Sequence, residues 1–227
     1  MLMHTLKQLG AKMLPGIAKR RAELKYWRGR FAAENGRLGN SHYEPLYTAV
    51  FGLTKESYRG KRILDIGCGP RGSLEWADVA LQRVGLDALA ADYRRELGTA
   101  RHSMEYCSSG AEHIPFDDAH FDIVTCLNAL DHVDDIAASI REIKRVTKPG
   151  GLFLLSVETD HPPTAAEPVT VNDAVLATFA PEFAVLSEFR VGTPEDHNLH
   201  GAVMRRTPQY VVGEPGIYVA KFQRRMQ

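Results

Sequence analysis

A doubly wound α/β fold, with a mostly parallel seven-stranded sheet behind an N-terminal helical cap, is predicted for this 227-residue chain by three observations. From Gly60 onward, short apolar runs alternate with stretches of helical period, the pattern of a parallel sheet covered on both faces. One run, Ile63-Leu64-Asp65-Ile66, leads directly into Gly67-Cys68-Gly69-Pro70-Arg71-Gly72, a buried strand followed by a bare-backbone turn. The residues before it, 1–58, carry helical apolar stripes.

In order, the predicted strands are 62–66, 83–87, 104–108, 121–127, 151–157, 183–190 and 216–222. Helical periodicity fills 73–82, 88–98, 134–147 and 171–179, with Ser73 as the cap of the first. In the third, Ile136, Ile140, Ile143 and Val146 face inward, and Pro149-Gly150-Gly151 turns the chain into the next strand. In the cap, Leu6, Leu9, Met13 and Ile17 form one stripe and Leu24, Trp27 and Phe31 another, with Pro15-Gly16 expected to break the helix between them. Residues 1–58 are thus read as a helical cap and 59–227 as one globular domain.

Hydrophobic residues make up 44% of the chain, enough for one well-buried domain. The formal net charge is zero, yet residues 1–30 carry eight bases against one acid, Glu23. Such a segment suits a membrane surface, a nucleic acid or an anionic substrate; a solvated helix face docked on its own domain is the favoured reading. Cys68, Cys107 and Cys126 are too few and scattered for a disulfide framework, which fits a reducing cytoplasm. No apolar run is long enough to span a bilayer, and Lys7 and Lys12 interrupt any secretory signal.

The glycine turn makes a nucleotide-type pocket, because main-chain amides can approach a ligand closely there. Gly67, Gly69 and Gly72 also satisfy G-x-G-x-x-G, the dinucleotide fingerprint. Asp87, 22 positions after Asp65, ends the second strand where a carboxylate can accept both hydroxyls of an adenosine ribose; capping the next helix is its alternative role. Asp65 separates the candidate ligands. An acid beside the turn suits a ligand with a positive end rather than a pyrophosphate, and S-adenosylmethionine has an ammonium and a sulfonium but no phosphate.

Ile63 to Pro70 resembles the first motif of class I S-adenosylmethionine-dependent methyltransferases, a Rossmann-like family. Gly110-Ala111-Glu112-His113-Ile114-Pro115-Phe116 resembles the adenine-bracketing segment after the third strand. Phe121 to Val124, with Asn128-Ala129-Leu130-Asp131-His132-Val133, resembles the fourth strand and its loop, and Arg141 to Val146 with Lys148 to Gly151 the helix and turn before the fifth. The match covers about residues 60–157 and falls in the group of ubiquinone-biosynthesis and small-molecule enzymes (methyltransferase type 11). It implies S-adenosylmethionine held by Asp65, Gly67, Cys68, Gly69, Asp87, Ala88, Ala111, Glu112 and Asn128. Many relatives have Asp at the position of Gly110, so Glu112 or a main-chain group has to meet the adenine amine here. Pro70-Arg71 before Gly72 is a second departure, at the amino-acid pocket.

Methyl transfer is an in-line displacement, and alignment alone supplies roughly 7–11 kcal/mol. A hydroxyl acceptor also needs a base. The resemblance implies His132, oriented by Asp131 or another carboxylate, because the loop after the fourth strand lies beside the transferred methyl; helix capping or cofactor packing is the alternative for it. His161, in a proline-rich segment with Thr164 and Glu167, reads as a substrate wall and second catalytic candidate, or as a surface loop. Tyr43, Tyr47, Glu167, His197 and His200 are the candidate acceptor-binding residues, the two tyrosines as a lid, or as helix packing. His197 and His200 with Glu195 and Asp196 lack metal-ligand spacing, and no metal is expected.

The expected function is O-methylation of a small polar metabolite or sugar hydroxyl, with a small-molecule acceptor as partner and a homo-oligomer left open. The alternatives are an RNA or protein methyltransferase using the basic first segment, a nicotinamide-dependent oxidoreductase, and a cofactor-binding protein without catalysis. No nucleic-acid module is recognisable, which places the first of these lower.

Overall fold

The structure, a computed structural model, describes residues 2–164 and 166–226, and for residues 2–15 and 17 the backbone alone. The side chains of the stripe Leu6, Leu9, Met13 and Ile17, and Lys7 and Lys12, lie outside the described residues. Helices α1 (Leu2–Ala33) and α2 (Tyr43–Tyr47) precede β1 (Arg62–Ile66). Then come β2 (Gln82–Leu86), α3 (Ala90–Glu96), β3 (Glu105–Cys107), β4 (Phe121–Leu127), α4 (Ile136–Val146) and β5 (Thr147–Thr159). The chain continues with α5 (Asp173–Ala177), β6 (Phe183–Gly192), α6 (Leu199–Arg205) and β7 (Gly216–Arg224). No described helix is long and apolar enough to cross a membrane.

The seven strands form one sheet in the order β3-β2-β1-β4-β5-β7-β6, parallel except for β7, which runs antiparallel to both neighbours. Chain direction across the sheet reverses between β1 and β4. Their crossovers leave in opposite senses and open a crevice at the carboxyl ends. Side-chain alternation sorts the core onto two faces. Leu64, Ile66, Val124, Phe153 and Leu155 pack with Ile140, Ile143 and Val146 of α4. Ile63, Ile123 and Leu154 pack on the opposite face with Tyr47, Phe51, Tyr58 and Leu74. Asp65 shares the face of Ile63, which turns its carboxylate toward α2.

Helix α4 starts where Asp135 Oδ1 accepts the Ala138 amide at 2.9 Å, and its apolar face is the expected one. Replacing Asp135 by Ala should lower the denaturant midpoint by the equivalent of about 1 kcal/mol, since a lost side-chain cap typically costs that much. An unchanged midpoint would show that the cap is not limiting. The helix ends at Val146, ahead of Pro149, and β5 begins there instead of at Gly151.

Two expectations about helices are corrected. Helix α1 runs unbroken through Pro15-Gly16, because proline removes one hydrogen bond without obliging the next turn to end. The predicted helix 73–82 does not form. Instead, successive turns close from Glu75 N to Gly72 O (3.1 Å), Ala77 N to Leu74 O (3.1 Å) and Ala80 N to Ala77 O (3.0 Å). Leu74 and Ala77 are buried, and Glu75 Oε1 accepts the Ser103 and Met104 amides at 2.9 and 2.7 Å. Tertiary contacts thus hold a segment whose period alone suited a helix. The stripe Leu24, Trp27 and Phe31 docks on Leu89, Tyr93 and Leu97, on the chain's own domain.

Candidate active site

The glycine turn leaves β1 with φ of 71° at Gly67, 58° at Gly69 and 76° at Gly72, conformations that favour residues without a Cβ. Gly67 also packs against the loop after β4. A Cβ placed there would lie 2.3 Å from Ala129 Cβ. The turn and the loop carrying Asp131 and His132 are therefore in direct contact. Asn128, at the head of that loop, has φ 57° and donates its amide to Ser156 O of β5 at 2.7 Å. Asparagine tolerates this left-handed conformation better than most side chains.

Asp65 is 1% exposed and anchors this turn from within. Its Oδ2 accepts Tyr47 Oη at 2.8 Å and Ser73 Oγ at 2.5 Å, and its Oδ1 accepts Thr125 Oγ1 at 2.6 Å. Burial pushes its carboxyl up to about 6, against the three hydroxyl donors. Ser73 serves Asp65 and caps no helix. Tyr47, 2% exposed, is structural for the same reason, and Tyr43 packs edge-on to it with centroids 6.0 Å apart. The lid expected of these two tyrosines is a buried wall, because the pleat places Asp65 and α2 on one face.

Asp87 directly follows β2 (Gln82–Leu86). Its Oδ2 accepts the Gly69 amide at 3.1 Å and its Oδ1 the Leu89 amide at 2.8 Å, so the carboxylate joins the turn to the next helix. Burial pushes it up to about 7, the Glu23 charge adds to this, and the two amides oppose it. Its folded value lies above the unfolded value of about 3.9. Its contribution to stability is thus present in full below about pH 4 and lost as pH rises through about 7. Wild-type melting temperature should fall relative to Asp87→Asn between about pH 4 and 7 and level off above that; parallel curves would sink this assignment.

Other expected cofactor residues are distributed differently. Cys68 is 4% exposed, and its Sγ would sit 2.6 Å from a Cβ on Gly85, so only its backbone faces the turn. Ala111 is buried in the core, and Ala88 is half-buried beside Asp87. Glu112 Oε1 accepts the Asp134 and Asp135 amides at 2.7 and 3.2 Å. It fastens the approach to α4.

Sequence reasoning missed the fastening of the turn to the cap. Arg71 grips Glu34 with two nitrogens, at 2.5 and 2.8 Å, and donates to Gly39 O at 2.8 Å. Its guanidinium lies 5.6 Å from the Trp27 ring centroid, and a Cβ on Gly69 would lie 3.3 Å from Trp27 Cζ2. Helix α1 thus lies against the outer side of the glycine turn. An arginine inside the turn was the available signal, but its partner 37 residues earlier was not legible.

Beyond β4 the catalytic candidates converge. His132 Nε2 lies 4.0 Å from Asp131 Oδ1 and 3.9 Å from Glu167 Oε1, and His161 Nε2 lies 3.5 Å from Asp131 Oδ2. The loop of Glu167 is tied down by Val169 N donating to Asp131 O at 3.2 Å. Burial raises Asp131 from the ordinary carboxylate range, His132 opposes this, and Glu167 adds to it. Lys19 of α1 bonds the His132 carbonyl and pairs with Asp134 at 3.4 Å. His197 and His200 do not join this group as a pair. His197 is exposed on a loop, whereas His200 stacks near His42 and Tyr43, and burial holds it near 4.

The glycine cradle and the Asp87 carboxylate at the switch point fit a nucleoside ligand, and comparisons with known proteins name it. Residues 64–155 match the methyltransferase domain family. The uncharacterized methyltransferase YcgJ of Bacillus subtilis is 32% identical over 143 residues, covering 60% of this chain and 48% of that protein. Ubiquinone biosynthesis O-methyltransferase of Pseudomonas aeruginosa is 38% identical over 114 residues, covering 45% and 47%. The chain therefore spans about half the length of these curated relatives. A solved S-adenosylmethionine-dependent methyltransferase of Mesorhizobium loti shares the fold, with a TM-score of 0.53 at 20% identity over 74% of this chain and 92% of that one. Residues 64–155 are a class I methyltransferase domain, and the cofactor of that family is S-adenosylmethionine.

Proposed function

We propose that this protein transfers a methyl group from S-adenosylmethionine to a hydroxyl of a small polar metabolite or sugar. The supporting observation is the His132 imidazole set between Asp131 and Glu167 on the loop that touches the glycine turn. In this reading residues 59–227 form the catalytic unit and 1–58 cap it. Gly67 and Gly69 offer backbone to the cofactor, Asp87 accepts the ribose hydroxyls, and Asn128 and Ala88 line the pocket. When bound, S-adenosylmethionine supplies the activated methyl. His132 accepts the acceptor's proton, with the two carboxylates steadying the imidazolium that results. His161 and Glu167 border the acceptor, with His200 and His197 farther out. The O-methyltransferase name of one relative is consistent with an oxygen acceptor.

Three of the eight bases in residues 1–30 are engaged internally, which supports the small-molecule reading over a macromolecular substrate. Lys19 pairs with Asp134, Arg28 with Glu96 and Arg30 with Glu34. Calorimetric titration with S-adenosylmethionine, S-adenosylhomocysteine and NAD tests the cofactor assignment. Binding of the first two, weakened in Asp87→Ala, is expected, followed by uptake of labelled methyl into hydroxyl compounds. Uptake only into RNA or protein would overturn the small-molecule reading.

A further inference from the structure

Asp131 presents an imbalance that proton abstraction by His132 does not use. Its side chain is fully buried, yet neither carboxylate oxygen has a hydrogen-bond donor. A buried charge without compensation is costly. A neutral His161 does not supply a proton. His161 Nδ1 lies 3.0 Å from Pro162 O, which can only accept, so in the neutral ring Nδ1 carries the hydrogen. Nε2 then turns a lone pair toward Asp131 Oδ2 at 3.5 Å, and it too is buried without a partner. Glu167 adds a second carboxylate and Glu158 a third acid nearby.

We propose that Asp131, His132 and Glu167 hold a divalent transition-metal ion. One donor atom from each lies within 4.8 Å of the other two, with the His132 nitrogen 4.0 and 3.9 Å from the two carboxylate oxygens. Ligands at about 2.1 Å around a tetrahedral ion are separated by about 3.4 Å, so small side-chain rotations close the site. One imidazole and two carboxylates suit Zn²⁺, Mn²⁺ or Co²⁺. Three protein ligands leave positions open for water or an acceptor oxygen. The inference rests on the placement of the acceptor beside His132 and changes what that residue does there. His132 becomes a ligand, and the coordinated hydroxyl, made more acidic by the ion, loses its proton to solvent water.

The test uses the full chain, stripped with a chelator and titrated with Zn²⁺ by calorimetry and with Co²⁺ by visible absorption. One equivalent of tight binding with a ligand-field spectrum is expected. In Asp131→Asn and Glu167→Gln, affinity should fall by at least the roughly 10–100-fold that losing even an outer partner of a metal site costs. Glu167 is on a half-exposed loop, so its variant stands alone if the buried one does not fold. Absent binding, or binding unchanged in both variants, overturns the site. S-adenosylmethionine binding and methyl uptake are measured in chelator alongside. Uptake that persists in chelator removes the metal from the chemistry and leaves the methyltransferase reading, whereas absence of cofactor binding both with and without metal removes that reading itself.

Discussion

His132→Ala is expected to lower kcat about 10²–10⁴-fold while S-adenosylmethionine affinity stays at the wild-type value. A positioned base contributes on that order, and the proposed cofactor contacts lie with the glycine turn and Asp87 rather than with this imidazole. Asp131 and Glu167 bracket Nε2 at 4.0 and 3.9 Å, an arrangement that supports a part in proton transfer or coordination. Single-turnover rates with saturating cofactor are the measurement. Wild-type turnover in the variant would remove His132 from the chemistry. If turnover falls, dependence on added metal separates a ligand from a base.

Gly67→Ala should cost about 2–5 kcal/mol of stability and abolish cofactor binding. Left-handed backbone at a residue with a Cβ costs about 1–2 kcal/mol, and φ there is 71°. The new methyl would also lie 2.3 Å from Ala129 Cβ, an overlap that adds about 1–3 kcal/mol once the core shifts to relieve it. Adding Ala129→Gly should recover the overlap part and leave the backbone part. Denaturant midpoints of the two single variants and the double variant form the cycle. Additive losses would mean that the turn and the loop after β4 are not in contact, and the assembly of the site around that contact would fall.

Much of this arrangement could be read from local pattern. Seven strands, the helices after β2 and β4, and the α4 face of Ile140, Ile143 and Val146 follow from period and burial. The left-handed turn of Gly67 and Gly69 and the acid ending β2 were legible because each depends on residue type at a fixed position in one strand–turn unit. Segment 73–82 shows where that logic fails. Its period suited a helix, but the Glu75 carboxylate is held by amides of Ser103 and Met104, and contacts that remote override local propensity.

The fold class, the glycine turn and the loop of His132 are legible in the sequence because they are properties of short segments with their own periodicity. The partners come from packing between distant segments. It gave Asp65 to Tyr47, Ser73 and Thr125, Glu112 to the start of α4, Arg71 to Glu34, and it set His132 between Asp131 and Glu167. A charged side chain's role depends on which groups replace its water when it is buried, and those groups come from elements distant in the chain.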